Sequence, residues 1–378
     1  MYRLVTLWVG LLSVILTSSC GRSDNPVFTG RLYVIAGEGL YQISSNQESN
    51  EADVRYVENT SQIHAGHITV SYDPRYLIYA TSNGIYLDDT KNNEANLLVT
   101  LESIADCVEI NQDGTMLSYV YNHEIYVFDL TSTTKMLLLS APSAEYTEHS
   151  TSAPLVGIGR DTIYGQFTCG FWQGRELLFQ RYEGRMPDKI EGPIGNELPP
   201  NTTTLATFDG GVSLRDIDMT DAPYIYINDI SADGNYVFLH KDGDAYISKS
   251  LTNFDNLKGP IDETDHQILL KFVPGGDELY YVNWSNQVIL IDPKSLSERM
   301  GPRIDTSWIM GGQYGLDLTW VGGVEDNLIV IAEYSKRNGR TADIFLLDLD
   351  TERKTFVANL LGNGTSPPVN FVGWLPLK

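Results

Sequence analysis

Residues Val108–Leu139, VEINQDGTMLSYVYNHEIYVFDLTSTTKMLLL, decide the fold. An alternating apolar strand runs into an Asp-Gly turn and a Tyr-rich second strand follows. A polar break, a third strand, a turn and a fourth strand complete the unit. Four antiparallel strands form a small twisted sheet with two apolar faces, and something must cover both.

The same pattern recurs along the chain. It is seen in ITVSYDPRYLIYATSNGIYLDD from Ile68, YIYINDISADGNYVFLHKDGDAYIS from Tyr224, and ILLKFVPGGDELYYVNWSNQVILID from Ile268. A further copy begins at Leu318. Turn markers fall at Arg75, Gly114, Arg160, Gly234, Gly276 and Asp326, so the successive spacings are 39, 46, 74, 42 and 50 residues. The 74-residue spacing holds PDKIEGPIGNELPPNTTT, read as one blade carrying an insertion at about 185–220 and an extra hairpin. A period of about 40–50 residues built from four strands is that of a β-propeller, in which each sheet buries its faces against the next around a ring. The chain ends on a first-strand pattern, PPVNFVGWLPLK, and opens with the missing strands, FTGRLYVIAGEGLYQISS and then VRYV. The expectation is an all-β propeller of four-stranded antiparallel blades, closed by a blade shared between the two termini. Seven blades fit the spacing best, with six and eight as alternatives.

INQDGTMLSYVYNHEIYVFDL and ISADGNYVFLHKDGDAYIS resemble the WD40-like or TolB-like propeller repeat, in which a strand enters Ser/Asn-x-Asp-Gly and a second strand follows. The resemblance covers nearly all of the chain after the leader. It implies the fold and carries no role in a particular system.

The first twenty residues, MYRLVTLWVGLLSVILTSSC, combine one basic side chain, a short apolar run and small residues before Cys20. This is the form of an export signal, and it is too short for a spanning helix. Leu16-Thr17-Ser18-Ser19-Cys20 resembles the lipobox of bacterial lipoproteins. That resemblance implies a signal peptide over 1–19, lipid on Cys20, a tether over 20–27 and the propeller over 28–378. The expected location is the cell envelope, with the chain membrane-anchored and facing the periplasm or the exterior. The repeat places Cys107 at the start of a first strand and Cys169 at the end of the second strand of the following blade, both toward the same face. Export permits a disulfide between these two remaining cysteines; bonded and free thiols are both open readings.

A net charge of −23 repels phosphate backbones, so nucleic acid is excluded as the partner. No G-x-S-x-G, H-E-x-x-H, P-loop or dinucleotide fingerprint is present. Three constellations remain, all placed by the repeat on the face of the loops that enter the first strands. Trp308, Met310, Tyr314 and Trp320, with Phe171 and Trp172, would form an aromatic binding lip; plugging of the ring's mouth is the competing reading. His64, His67, His149 and His266 would suit a divalent metal, against four polar residues in exposed loops. Asp106, Glu148, Asp229 and Asp317 offer a carboxylate pair for acid–base work on a sugar, against a solvated acidic surface. The functional expectation is a monomeric, non-catalytic module that binds an envelope protein or a surface polymer. The alternative is a carboxylate- or metal-dependent polysaccharide hydrolase or lyase with its site over the central opening.

Overall fold

The computed structural model describes residues 30–37, 39–46, 51–57, 60, 63, 65–71, 76–89, 95–140, 163–185, 201–217, 225–263, 266–273, 276–285, 287–303, 314–320, 328–335, 341–348, 353–361 and 369–375. They form seven antiparallel sheets, six of four strands and one of five. Blade 1 joins the two ends of the chain: Val369–Leu375 pairs with Arg31–Ala36, which continues into Gly39–Asn46 and Glu51–Tyr56. Blade 2 is Ile68–Val70, Tyr76–Thr81, Gly84–Asp89 and Asn96–Thr100; blade 3 is Cys107–Ile110, Met116–Tyr121, Glu124–Asp129 and Thr134–Ser140. Blade 4 has a divided first strand, Ile163–Phe167 and Phe171–Gln173, both paired to the long strand Glu176–Arg185, then Asn201–Thr207 and Ser213–Ile217. Blade 5 is Ile225–Ile230, Val237–Lys241, Asp244–Ser248 and Lys258–Ile261. Blade 6 is His266–Phe272, Leu279–Asn283, Gln287–Ile291 and Glu298–Arg303, and blade 7 is Tyr314–Trp320, Leu328–Ser335, Thr341–Asp348 and Arg353–Leu361. Blades 1 to 6 touch their neighbours through their first strands, which therefore line the centre of the ring, and blades 7 and 1 touch through their fourth strands.

Period-two alternation explains how both faces of a blade are covered. In Met116–Tyr121, Met116 and Val120 join a core layer with Trp172, Leu177 and Phe179 of blade 4. Leu117 and Tyr119 point the other way, into a layer with Ile78, Ile85 and Val99 of blade 2. Successive side chains on a strand face opposite sides, so one strand serves two interfaces. Equivalent layers join blades 1 and 2, 4 and 5, 5 and 6, and 7 and 1. Each fully buried Leu, Ile or Phe contributes about 1.5–3 kcal/mol. Tyrosine is abundant because it stacks across strands while filling these layers. Tyr79 lies on Tyr86 at 5.5 Å, and Tyr119 on Tyr126 at 5.1 Å. The Lys135 ammonium sits 3.9 Å from the Tyr126 ring centre.

The shared blade is locked to blade 2 by a buried polar cluster. Arg31 Nη1 lies 3.0 Å from Asp88 Oδ1, and both side chains are shielded from solvent. The Tyr33 hydroxyl donates to Asp88 Oδ2. Burial, with the Asp88 charge beside it, pushes the Tyr33 phenol well above its ordinary range.

Blade 4 corrects three details of the sequence reading. The hairpin over 201–217 is no addition but the blade's own third and fourth strands, pairing Glu176–Tyr182 with Asn201–Thr207. What joins the second and third strands is 186–200, outside the described residues. The first turn of this blade lies at Gly174–Arg175 and not at Arg160, because Phe171–Gln173 pairs directly with Glu176–Leu178. Cys169 lies in the break between the two halves of the first strand, not at the end of the second. Its disulfide to Cys107, with Cα atoms 5.9 Å apart, ties blade 3 to blade 4.

Candidate functional site in the central channel

The turns between first and second strands share one construction. A backbone pair closes each loop: Ser71 N–H to Tyr76 O, Asn111 to Met116, Ser231 to Tyr236, and Val273 to Glu278, at 2.8–3.0 Å. Where the sequence reads Asn-x-Asp-Gly or Ser-x-Asp-Gly, the first side chain accepts from inside the loop. Asn111 Oδ1 takes the Thr115 and Met116 N–H groups at 2.9 and 2.8 Å. Ser231 Oγ takes Tyr236 N–H at 2.9 Å. Asp113 and Asp233 accept from the residues two ahead, and Gly114 and Gly234 supply the left-handed backbone at φ 67° and 71°.

These turns also lace neighbouring blades together. Gln112 donates to Trp172 O at 2.6 Å and accepts from Gly174 N–H at 3.0 Å. Asn111 donates to Gly174 O at 3.2 Å. Gln173 donates to Gly234 O at 2.7 Å and accepts from Leu251 N–H at 3.0 Å. Ala232 N–H reaches Gly276 O at 3.2 Å. Blades 3 to 6 thus form one rigid rim.

Two residues before each turn, the repeat places Thr69, Glu109, Asp229 and Lys271 at equivalent first-strand positions. Beside them lies a cavity of about 340 Å³, lined by strand ends and turns of blades 2, 3, 4 and 5. Thr69 and Glu109, Phe171, Asn228 and Asp229 all contribute to its wall. The Thr69 hydroxyl donates to Glu109 Oε1 at 3.2 Å and accepts from Ile110 N–H at 3.3 Å, which joins blades 2 and 3. Asp229 is held at both oxygens: Oδ1 takes Ile230 N–H at 2.9 Å and Oδ2 takes Phe272 N–H of blade 6 at 2.8 Å.

Protein crowds both carboxyls, although each keeps a small solvent contact at the cavity wall. Burial pushes Glu109 up to about 8; the Thr69 hydroxyl pulls against that and the Asp229 charge adds to it. Burial likewise raises Asp229, but the two backbone donors and Lys271 limit the rise to about 6. Burial therefore favours the neutral form at both carboxyls, and the backbone donors and Lys271 hold Asp229 closer to its ordinary range than Glu109. A β-bulge at Asn228 turns this solvent-exposed residue out of register at the cavity wall. His240 contacts Asn228 Oδ1 at 2.7 Å and Glu263 at 2.7 Å.

Among the described residues singled out from sequence, Phe171, Trp172 and Asp229 line this cavity. Trp172 is 1% exposed, and its indole N–H donates to Ser118 Oγ at 3.0 Å. It is a core residue and not part of a lip, because the divided strand of blade 4 turns it into the layer with blade 3. Phe171 is half-buried at the cavity wall, at the turn end of the first strand and so on the face opposite to that expected. Tyr314 and Trp320 are the ends of the first strand of blade 7. His67 is buried just ahead of the first strand of blade 2, and His266 begins that of blade 6. Trp308, Met310, His64, His149, Glu148 and Cys20 lie outside the described residues. No group of three or more metal-ligating side chains occurs among the described residues. Asp106 is exposed, while Asp317 lies within the first strand of blade 7. Among the described residues, Asp229 is the singled-out carboxylate that lines the cavity. Glu109 was missed, although an acidic residue on an apolar strand two places before an Asn-x-Asp-Gly turn was a usable signal.

No family model matches the chain, and no curated protein matches it in sequence. Among solved structures it is similar to dipeptidyl peptidase 4 of Porphyromonas gingivalis, at 14% identity and a TM-score of 0.40 over 88% of this chain. It spans about half (53%) of that peptidase chain. It is also similar to an oligogalacturonate lyase of Vibrio parahaemolyticus (11% identity, TM-score 0.46, 86% of each chain). A third similarity is to TolB of Acinetobacter baumannii (13% identity, TM-score 0.37, 93% of this chain and 68% of that one). The chain is a β-propeller.

Proposed function

We propose that this protein is a non-catalytic binding module of the bacterial cell envelope, exported on residues 1–19 and anchored through lipid on Cys20. The central cavity is its ligand site. The observation that carries the binding reading is the cavity itself: about 340 Å³, walled by the rigid strand ends of four blades and lined by carboxyl, carboxamide and hydroxyl groups. That volume lies within the range of small-ligand pockets, roughly 300–1,000 Å³. Both oxygens of Asp229 are engaged by backbone donors, which suits fixed recognition better than proton transfer. The Cys107–Cys169 disulfide supports an oxidising, extracytoplasmic location.

The test is a ligand screen by thermal shift on the full chain in detergent, run beside Asn228→Trp, which fills the cavity from an exposed position. A ligand that stabilises the wild type and not the variant supports the reading. Equal stabilisation of both by every ligand removes the cavity as the site. Membrane fractionation of Cys20→Ser tests the anchor, and a variant that stays membrane-bound ends that part of the proposal.

One observation favours a second reading. Glu109 and Asp229 have their acidities pushed to different levels, as an acid–base pair acting on a polysaccharide requires. Turnover of a polysaccharide, abolished in Glu109→Gln, would put the enzyme reading ahead.

A further inference from the structure

The two cavity carboxyls are not equivalent. Asp229 is fully occupied by the fold. Glu109 receives one side-chain hydrogen bond, from Thr69 to Oε1, and no donor among the described residues reaches its other oxygen. That oxygen keeps a solvent contact at the cavity wall, so it is open to a donor that displaces water there.

The chemistry of the wall narrows the ligand. Asp229 and the net charge of −23 oppose an anion. A tightly held divalent metal needs more anionic or imidazole ligands than two carboxyls, and no larger group converges among the described residues. A neutral polyol could donate to Glu109 but brings no charge to favour its ionised form. Ile68, Val70, Phe171 and Ile230 give the same cavity an apolar side. A cationic donor on a short hydrocarbon stem matches both halves.

We propose that the central cavity binds the ammonium group of a small alkylamine, with Glu109 as the group that receives it and the Phe171 side of the wall packing its stem. This rests on the reading that the cavity is the ligand site. The same chemistry is carried by a free amine and by a lysine side chain of a partner protein. Entry of a cation beside Glu109 favours its ionised form, so binding near neutral pH releases a proton to the buffer.

The experiment is calorimetric titration of the full chain in detergent at pH 7.0 with n-butylamine, 1-butanol, butyrate and the peptide acetyl-Gly-Lys-Gly-amide. It is run in phosphate and in MOPS, whose ionisation heats differ. The expected result is one-to-one butylamine binding at least about tenfold tighter than 1-butanol, no binding of butyrate, and a heat that changes with the buffer. Glu109→Gln is expected to lose about tenfold or more in affinity. Glu109→Asp serves as the carboxylate control if the Gln variant does not fold, and weakens binding by misplacing the charge. Binding of the peptide without butylamine keeps the ammonium chemistry and assigns it to a polypeptide. Equal binding of butanol or butyrate, or an undiminished affinity in Glu109→Gln, overturns the proposal. If no amine binds while another ligand is blocked by Asn228→Trp, the amine assignment fails and the cavity reading stands. If nothing is blocked, both fail.

Discussion

Replacing Glu109 by Gln should make the protein more stable in alkaline solution and leave it nearly unchanged in mild acid. The carboxyl is held near 8 in the folded chain against an ordinary value of 4.5. Between those values the folded chain keeps a proton that the unfolded chain has released. Stability attributable to this group therefore falls as pH rises from about 4.5 to about 8, then levels off. Below 4.5 both states are protonated and the group contributes nothing. Holding a carboxyl that far from its ordinary value costs the folded state on the order of 5 kcal/mol once the solution is alkaline. Solvent reaches the cavity wall at Asn228 and reduces this, so a gain of about 2 kcal/mol or more is expected for the variant above pH 8. Gln still offers an oxygen to the Thr69 hydroxyl, so that hydrogen bond is kept in the comparison. Asp229 shifts in the same direction between 3.8 and about 6, but it is present in both proteins and cancels. Urea unfolding of wild type and Glu109→Gln at pH 5 and pH 9 measures the gap. A gap of the same size at both pH values would refute the reasoning, because it would show that burial does not hold the proton on Glu109.

Three further outcomes follow from the packing. Changing Cys107 and Cys169 together to Ser removes a cross-link spanning 62 residues of chain, and urea unfolding is expected to show a loss of about 4 kcal/mol, matched by reducing the wild type. Asp88→Asn strips the charge partner from buried Arg31 between blades 1 and 2; the expected cost is about 3–5 kcal/mol, with hydrogen exchange rising first in Arg31–Ala36. Asn111→Ala removes two acceptor contacts inside its turn and the bond to Gly174 O, so denaturation should show a loss of about 2–3 kcal/mol, where a loss below 0.5 kcal/mol would deny the turn its structural role.

Local patterns in the chain specified much of the architecture. The Tyr-rich run MLSYVY marked a second strand, and Asn111-Gln112-Asp113-Gly114 marked a turn whose side chain and glycine must do what they are found doing. The first-strand pattern at 369–375 and the missing strands after residue 30 required a shared blade, and the pairing of Arg31–Ala36 with Val369–Leu375 supplies it. Such features are legible because strand period and turn chemistry are set by neighbours a few residues apart.

Blade 4 was read less well because its first strand is broken by Thr168-Cys169-Gly170, and no local period crosses that break. The channel was hidden for another reason. Thr69, Glu109 and Asp229 are 40 and 120 residues apart, and their side chains become a wall only when the ring closes. Sequence alone determined the repeat, the two Asp-Gly turns and the closure, since each follows from local geometry and from the need to cover two faces of every sheet. Only the tertiary structure decided that Trp172 belongs to the core, that Asp229 is tied by the backbone of the next blade, and that Glu109 faces the cavity with an oxygen to spare. Burial and long-range hydrogen bonding are properties of the assembled ring, and no stretch of the chain carries them by itself.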